Sequence, residues 1–490
     1  MPPLAAKLPF QAKIWIITLT WFAFWVRVRG LFANHFHADE ALFAGWARLI
    51  AVWRDPFLLS QAVDKPPVLF YLQALFYPLF GAVESAARMP NLIASLLLVP
   101  LVGLLAWQWY RDGSTAVLAT ALITCLPLAV QFSATAFIDP LLTFWLILCL
   151  FLVGKKRPGL SGLLFGVALV TKHQAVLFLL LVVGLGWLFG WKKRAWLRWF
   201  GGAALPMLFL FFWEFMRTGE LALWQNQIGN FGGLRLIWSW ELWPRFIGWA
   251  QQSRFVFGSR VMAGLFLLSQ ITLWLPRPQA AQKTTAVARH ITALLSLFLL
   301  AYICLHWLLA IPIWDRYFLP ITPLIAIIFA HGVVNILQSI PLLGQQFRTQ
   351  VGIKRGLLGL FAILLIFSAW QGRNGRYPIG GQEDADNGAW QIAAFLADEP
   401  YGTVLYDHWY SWQWHYHLFD KGVYVSWFPH ASALVEDLAV FGGKGRRYIV
   451  LPDTTAALPI LRELKHAGYA PQPIFHSDTN PGIILYRIGS

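Results

Sequence analysis

Long apolar runs, most near the length needed to cross a bilayer, recur between residues 14 and 370, separated by short polar turns. Only a helix can carry such a run across a bilayer, because each helical segment satisfies its own backbone hydrogen bonds. The pattern predicts spans at 14–32, 85–110, 114–134, 138–154, 159–171, 174–190, 199–216, 254–275, 291–310, 317–338 and 356–370. That is eleven, or about 11–13 with room for the short runs at 159–171 and 356–370. Two stretches break the rhythm. Residues 33–84 form a long polar loop with an amphipathic run from Glu40 to Trp53, the pair Pro66-Pro67, and an apolar run at 68–80. That last run is short for a span and has the length of an interfacial or re-entrant helix. Residues 217–253 form a second loop, rich in Trp, Asn, Gly and Gln.

Past residue 370 the texture changes. A polar linker runs from Gly372 to Asn387, then a short helix is predicted at 389–397. Strand-like runs at 403–406, 422–426, 447–451 and 482–487 alternate with helix-like runs at 409–418, 430–440 and 455–467. Alternation of this kind predicts a small α/β domain with a mostly parallel sheet. The division expected is therefore 1–370, a multi-spanning helical domain, and 371–490, a small extracytoplasmic α/β domain. No glycine-rich phosphate fingerprint occurs in the latter, which argues against nucleotide binding there.

Composition sharpens this picture. The 490 residues are 58% hydrophobic and 12% charged, against about 25% charged in a soluble domain. The net charge of +15 comes largely from cations in short inter-span loops, where they orient the chain, and is not a nucleic-acid signal. Cys125, Cys149 and Cys304 all sit in apolar runs, so free thiols are expected. Lys7 and Lys13 precede the first apolar run, and no small-residue cleavage site follows it, so a retained first span is expected. Taking 68–80 as interfacial places Arg111, Lys155–Arg157, Lys192–Arg194, Arg198, Arg277, Lys283, Arg289, Arg348, Lys354 and Arg355 on the cytoplasmic side. The same choice gathers Asp39, Glu40, Asp64, Asp139, Lys172 and Arg316 on the opposite face.

Ionisable groups beside a bilayer cost a few kcal/mol unless paired, hydrated or functional. Asp39 and Glu40 are adjacent, about 100° apart on a helix, so they need not share a role. Asp39 is also well placed to cap the run that begins at Glu40. Asp139 precedes Pro140, the pattern of a helix start with proline in the first turn. Lys65 precedes two stiffening prolines. Arg88 follows Glu84 by four residues and has a local partner there. Lys172 reads either as a snorkelling anchor or as a phosphate ligand. Arg316 reads as a local partner of Asp315, an interface anchor or a phosphate ligand. Arg27 and Arg29, at the end of the first span, would snorkel to the interface or reach a phosphate. His35 and His37 beside the acidic pair would offer a divalent metal two imidazoles, a weak signal in a loop. The aromatic and histidine run His408–His417 reads mainly as helix packing, with sugar stacking as the other use.

Taken in order, the motifs carry a resemblance. They are Asp39-Glu40 after the first span, Lys65-Pro66-Pro67, the run from Ala86 to Pro90, the run from Ile138 to Thr143, the run from Thr171 to Gln174, and the run from Asp315 to Pro320. Over roughly residues 14–370 the chain resembles GT-C glycosyltransferases of the aminoarabinose-transferase and protein O-mannosyltransferase type. The resemblance implies an inverting enzyme that takes a sugar from a polyprenyl-phosphate carrier. It would pass the sugar to a lipid, protein or polysaccharide acceptor on the outer face of the inner membrane. No cofactor is required by it, and a divalent metal is compatible with it. It maps the acidic motif onto Asp39 and Glu40, the loop lysine onto Lys65, the second acid onto Asp139, and the late Arg-Tyr motif onto Arg316 and Tyr317. His173 departs from the glycine often found there. The chemistry then assigns Asp39 and Asp139 as catalytic carboxylates, with Asp39 the base. Glu40, Lys65, Arg88, Lys172, Arg316 and Tyr317 become substrate-binding residues, the cations for the departing phosphate. Two rivals stand beside this reading. A flippase for lipid-linked sugars would favour inverted repeats and broken midplane helices, which the sequence does not display. A non-catalytic assembly protein would leave Asp39 unexplained.

Overall fold

The computed structural model describes residues 7–220, 222–229, 235–274, 286–339 and 347–489. Among the described residues, six helices are long and apolar enough to cross a membrane: Phe10–Ala33, Glu84–Tyr110, Lys193–Thr218, Ala286–Leu308, Asp315–Gln338 and Arg355–Arg373. Two bent pairs raise the number to eight, and the remaining predicted spans are the shorter helices Asp139–Gly154, Pro158–Leu169 and His173–Leu188. Val68–Phe80 is a separate 13-residue helix, as its length suggested. Arg277 and Lys283 lie outside the described residues, as do the side chains of Arg348 and Lys354.

Two predicted spans are not straight. The run at 114–134 breaks at Pro127 and turns by 60°. The run predicted at 254–275 starts too late. Leu242–Phe257 is already helical, the chain turns by 94°, and Arg260–Trp274 continues. Gly258 makes that corner, at φ 76°. A Cβ there would strain the backbone and sit 2.7 Å from Ser368 Oγ. Elsewhere, glycines let helices touch. A Cβ on Gly162 would fall 2.0 Å from the Trp199 carbonyl oxygen, and one on Gly202 would fall 2.2 Å from that of Gly159. Small residues at such crossings replace the hydrophobic drive that lipid removes.

The helix Glu84–Tyr110 sets the vertical scale. Arg88 near its start bonds the loop after the first span. Gln108 near its end packs on Gly154, next to Lys155. Twenty residues of helix separate these ends by about 30 Å, the thickness of a hydrocarbon core. The polar loop cluster and the Lys155 turn therefore occupy opposite ends of the bundle.

The C-terminal sheet has the order β2-β1-β3-β5-β4, with β1 Thr403–Asp407, β2 Val423–Trp427, β3 Arg447–Pro452, β4 Ala470–His476 and β5 Ile483–Gly489. The pairs β1–β2 and β1–β3 are parallel, while β3–β5 and β4–β5 are antiparallel. The parallel half matches the sequence pattern; β4 was missed. It carries Pro471 and Pro473 and is mostly exposed, features that read as loop but that an edge strand tolerates. The helix Ser411–His417, inside the aromatic run, packs on Ala38–Ala51. There Arg48 donates to the Tyr416 carbonyl at 3.0 Å and pairs with Asp420. Phe36 meets the Tyr416 ring edge-on, and His35 stacks on Trp390 with centroids 4.5 Å apart.

Candidate functional site

The first span delivers the chain to Asn34, and His37 then starts the helix Ala38–Ala51. His37 takes the cap that Asp39 was expected to fill. Its Nδ1 accepts the Asp39 N–H at 3.1 Å, and Glu40 reaches back to the His37 N–H at 3.1 Å. The Asp39 carboxylate is thereby released from the backbone.

Glu40 turns the other way. Its carboxylate accepts from Arg88 Nε at 3.1 Å and Nη2 at 3.3 Å, and from the Ala136 N–H at 2.7 Å. The two side chains are 0% and 1% exposed. Arg88 also donates to the Asn34 carbonyl, and Asn91 one turn later holds the carbonyls of Thr135 and Phe137. The substrate contact expected of Glu40 and Arg88 gives way to a positioning role: among the described residues neither lines the cavity that holds the other six candidates, and both side chains are sealed from solvent. The expected local pairing of Arg88 with Glu84 is also replaced, because the carboxylate on Arg88 is Glu40. Together Glu40, Arg88 and Asn91 clamp the 135–137 segment that presents Asp139.

Above this clamp lies a cavity of about 470 Å³, lined by Asp39, Asp64, Lys65, Asp139, Lys172, Arg316 and Tyr317, with walls of Leu42, Phe43, Leu177, Leu305 and Ile311. Six of the eight sequence-chosen residues meet here, from five separated parts of the chain. Arg316 Nη1 lies 2.5 Å from Asp39 Oδ2. Lys172 Nζ lies 2.6 Å from Asp139 Oδ1 and 4.8 Å from the Tyr317 ring centroid. Lys65 pairs with Asp64. Three cations face three carboxylates, so the described lining is charge-balanced. Asp315 is not the partner of the Arg316 guanidinium. Its oxygens accept the Arg316 N–H at 2.7 Å and the Gly380 N–H at 2.8 Å, which pins the turn to the linker. Trp314 shields the guanidinium, its ring centroid 4.0 Å from Arg316 Cζ.

Burial pushes the Asp39 pKa up, but Arg316, His37 and Lys65 outweigh it and hold the carboxyl below its ordinary value. For Lys172 burial wins over Asp139, and its pKa falls below the ordinary lysine value.

Sequence reasoning assigned no role to several residues in and behind the lining. Gln227, from the second loop, bonds His173. Gln174 donates to Tyr302 Oη at 2.5 Å, and Tyr302 donates to the Tyr317 carbonyl at 2.7 Å. His306 sits beside Gln174 at 3.4 Å. The run from Thr171 to Gln174, with its departure at His173, was the visible signal for this layer. Arg27 neither snorkels nor reaches the cavity; it is buried and donates to the Ile123 carbonyl at 2.7 Å. His35 and His37 diverge. His35 bonds Glu84 at 3.2 Å while His37 caps its helix. Among the described residues no three His, Cys, Asp or Glu side chains are grouped to hold a metal. The three cysteines are free.

Comparison with known proteins adds the following. Residues 64–216 match the family model described as dolichyl-phosphate-mannose-protein mannosyltransferase. The undecaprenyl phosphate-alpha-4-amino-4-deoxy-L-arabinose arabinosyl transferase of Pseudomonas paraeruginosa is 30% identical over 168 residues, 32% of this chain and 30% of that protein. The enzyme of the same description from Erwinia tasmaniensis is 29% identical over 172 residues, 32% and 31% of the two chains. The match thus spans just under a third of these curated relatives. Two crystal structures of ArnT from Cupriavidus metallidurans cover 97% of this chain and 98% of theirs at 14% identity. The apo state has a TM-score of 0.66 and the state bound to undecaprenyl phosphate 0.64. The fold is therefore that of ArnT, a helical membrane domain followed by a small α/β domain, and the chain is an integral membrane protein.

Proposed function

We propose that this protein is an inverting glycosyltransferase that moves a sugar from a polyprenyl-phosphate carrier to an acceptor at the outer face of the inner membrane. The observation that carries this is the convergence of Asp39, Asp139, Lys65, Lys172 and Arg316 on one largely apolar cavity. An isoprenoid chain wants the apolar wall, a phosphate wants the cations, and the acceptor hydroxyl wants a base. The acceptor oxygen attacks the anomeric carbon while Asp39 takes its proton. The bond from that carbon to the phosphate oxygen breaks, and the phosphate leaves with the electron pair onto Arg316, Lys65 and Lys172. Asp139 holds Lys172 in place, and Tyr317 supplies the ring beneath it. Because every cation begins on a carboxylate, an arriving phosphate competes with Asp39 for Arg316. Donor binding then frees the base. The lining holds as many carboxylates as cations, so these cations meet the phosphate's charge only by leaving Asp39, Asp64 and Asp139 for it. Transfer that persists in excess chelator would agree; a rate restored only by Mg²⁺ would assign that charge to an ion brought with the donor.

The test is product analysis. Purified protein in lipid nanodiscs, given a polyprenyl-phosphate sugar and candidate acceptors, is expected to release polyprenyl phosphate and form a glycoside of inverted anomeric configuration. Translocation of intact donor across liposomes without cleavage would favour the flippase.

Three further outcomes follow from the geometry. Arg316→Met should weaken donor binding by roughly 10- to 100-fold, the range for losing one charge-assisted fork, and Arg316→Lys should restore part of it; equilibrium binding of polyprenyl phosphate reads this directly. The pH profile should show an acid limb set by Asp39. Its lowered pKa keeps it ionised to a lower pH than an ordinary carboxylate, so the acid limb of kcat/KM should lie below that of an unperturbed aspartate. Once the donor has drawn Arg316 away, the carboxyl regains basicity, so the limb for kcat should lie at higher pH than the limb for kcat/KM. For sidedness, cysteines placed at the exposed positions Lys156 and Ser432 in a background without Cys125, Cys149 and Cys304 should label from opposite sides of intact cells. Labelling from one side would overturn the orientation.

A further inference from the structure

A second cleft, of about 440 Å³, lies against a neighbouring face of the helix Ala38–Ala51, between it and the C-terminal domain. Leu42 belongs to both walls, so one helix divides this cleft from the donor cavity. Asp39 faces the cavity, and Gly45 faces the cleft six residues, or about 9 Å of helix, further on. The two spaces differ in chemistry. The cavity wall is mainly aliphatic. The cleft interleaves rings with polar groups: Trp412 and Tyr424 expose 44% and 70% of their surface, beside Arg54, Lys421, Ser60 and Gln61. Among the described residues no carboxylate lines it. Two carboxylates stand just behind the lining: Asp55, which accepts from the Ser60 hydroxyl at 2.6 Å and from the Ser60 and Leu59 N–H groups, and Asp420, which pairs with Arg48.

We infer that this cleft holds the saccharide of the acceptor, and that the saccharide is acidic. Exposed aromatic faces suit the apolar faces of sugar rings, and interleaved amide and hydroxyl groups suit their hydroxyls. Arg54 and Lys421 are the cations of the wall, and they attract an anionic substituent. On this inference the acceptor seats its saccharide in the cleft and reaches past Leu42, the residue common to both walls, to bring a hydroxyl to Asp39. This inference deepens the transferase reading and rests on it.

Gly45 offers a clean probe. A Cβ there meets nothing within 4 Å, so a large side chain enters the cleft without a clash at its base. Replacing a helix-interior glycine also favours the helix itself. The probes are cellobiose, cellobiouronic acid (the same disaccharide frame with one carboxylate) and the peptide Asp-Gly-Asp-Gly. Binding to full-length protein in nanodiscs is read by saturation-transfer NMR, with polyprenyl-phosphate binding measured in parallel. Cellobiouronic acid should bind about tenfold more tightly than cellobiose, the worth of one charge-assisted contact. Gly45→Trp should abolish that binding, and Lys421→Ala should remove the preference for the acid, with polyprenyl-phosphate affinity unchanged in both. Equal binding of the two disaccharides, or unchanged affinity in Gly45→Trp and Lys421→Ala, overturns the inference and leaves the transferase reading standing. Preference for the peptide overturns the saccharide assignment in favour of a protein acceptor. Failure of wild-type protein to bind polyprenyl phosphate overturns the transferase reading, and the acceptor role of the cleft falls with it.

Discussion

Asp39→Asn is expected to lower sugar transfer by about 10²- to 10⁴-fold, the usual worth of a positioned general base. Asparagine keeps the size of the side chain and still accepts from Arg316, so the cavity survives. What disappears is the ability to take a proton and the charge that opposes Arg316. Donor binding should therefore hold or tighten, since Arg316 no longer has to leave a carboxylate to meet the phosphate. The signature is a collapse of kcat with unchanged or lower donor KM. A purely structural Asp39 would instead lose stability and donor affinity together. Asp39 is about one third exposed, and its pair with Arg316 is correspondingly modest as a fold stabiliser.

Glu40→Gln is expected to do the reverse, damaging the fold far more than the chemistry. The Glu40–Arg88 pair is sealed from solvent and carries bonds to the Ala136 and His37 N–H groups as well. Removing one member of such a pair strands the other charge and costs about 3–5 kcal/mol. A clear drop in Tm in detergent should result. Residual activity should fall in proportion to folded protein, with any further loss traced to the 135–137 segment that the clamp holds. The double variant Glu40→Leu/Arg88→Met should recover part of the lost stability, because no bare charge remains. A Glu40→Gln protein as stable as the parent would mean that the buried pair does not organise the loop. Two adjacent acids would thus give opposite phenotypes, one kinetic and one thermodynamic.

This contrast also marks what the sequence could convey. Apolar run length is a local property, and it placed most spans because bilayer thickness sets it directly. Loop cations grouped Asp39, Glu40, Asp64, Asp139, Lys172 and Arg316 on one face, and all of these but Glu40 line one cavity. The partners were not legible. Asp39 and Arg316 stand 277 residues apart, and Glu40 and Arg88 stand 48 apart. No periodicity reports which of two neighbouring carboxylates each guanidinium will choose. The cap at His37 decides it, by leaving Asp39 free and pulling Glu40 back towards Arg88. Similarly, the corner at Gly258 was hidden inside an apolar run, since hydropathy does not register a single residue with positive φ. Gln227 and His306 were passed over because neither lies in a charged motif; their place in the lining comes from tertiary packing alone. Strand β4 was lost to its prolines.

The most direct test of the central claim is an electron cryomicroscopy map of the protein in nanodiscs containing polyprenyl phosphate. The phosphate should lie within hydrogen-bond distance of Arg316 and Lys65, with the isoprenoid running along Leu177 and Leu305 and the Asp39–Arg316 contact broken. A lipid phosphate bound elsewhere, with that contact intact, would contradict it.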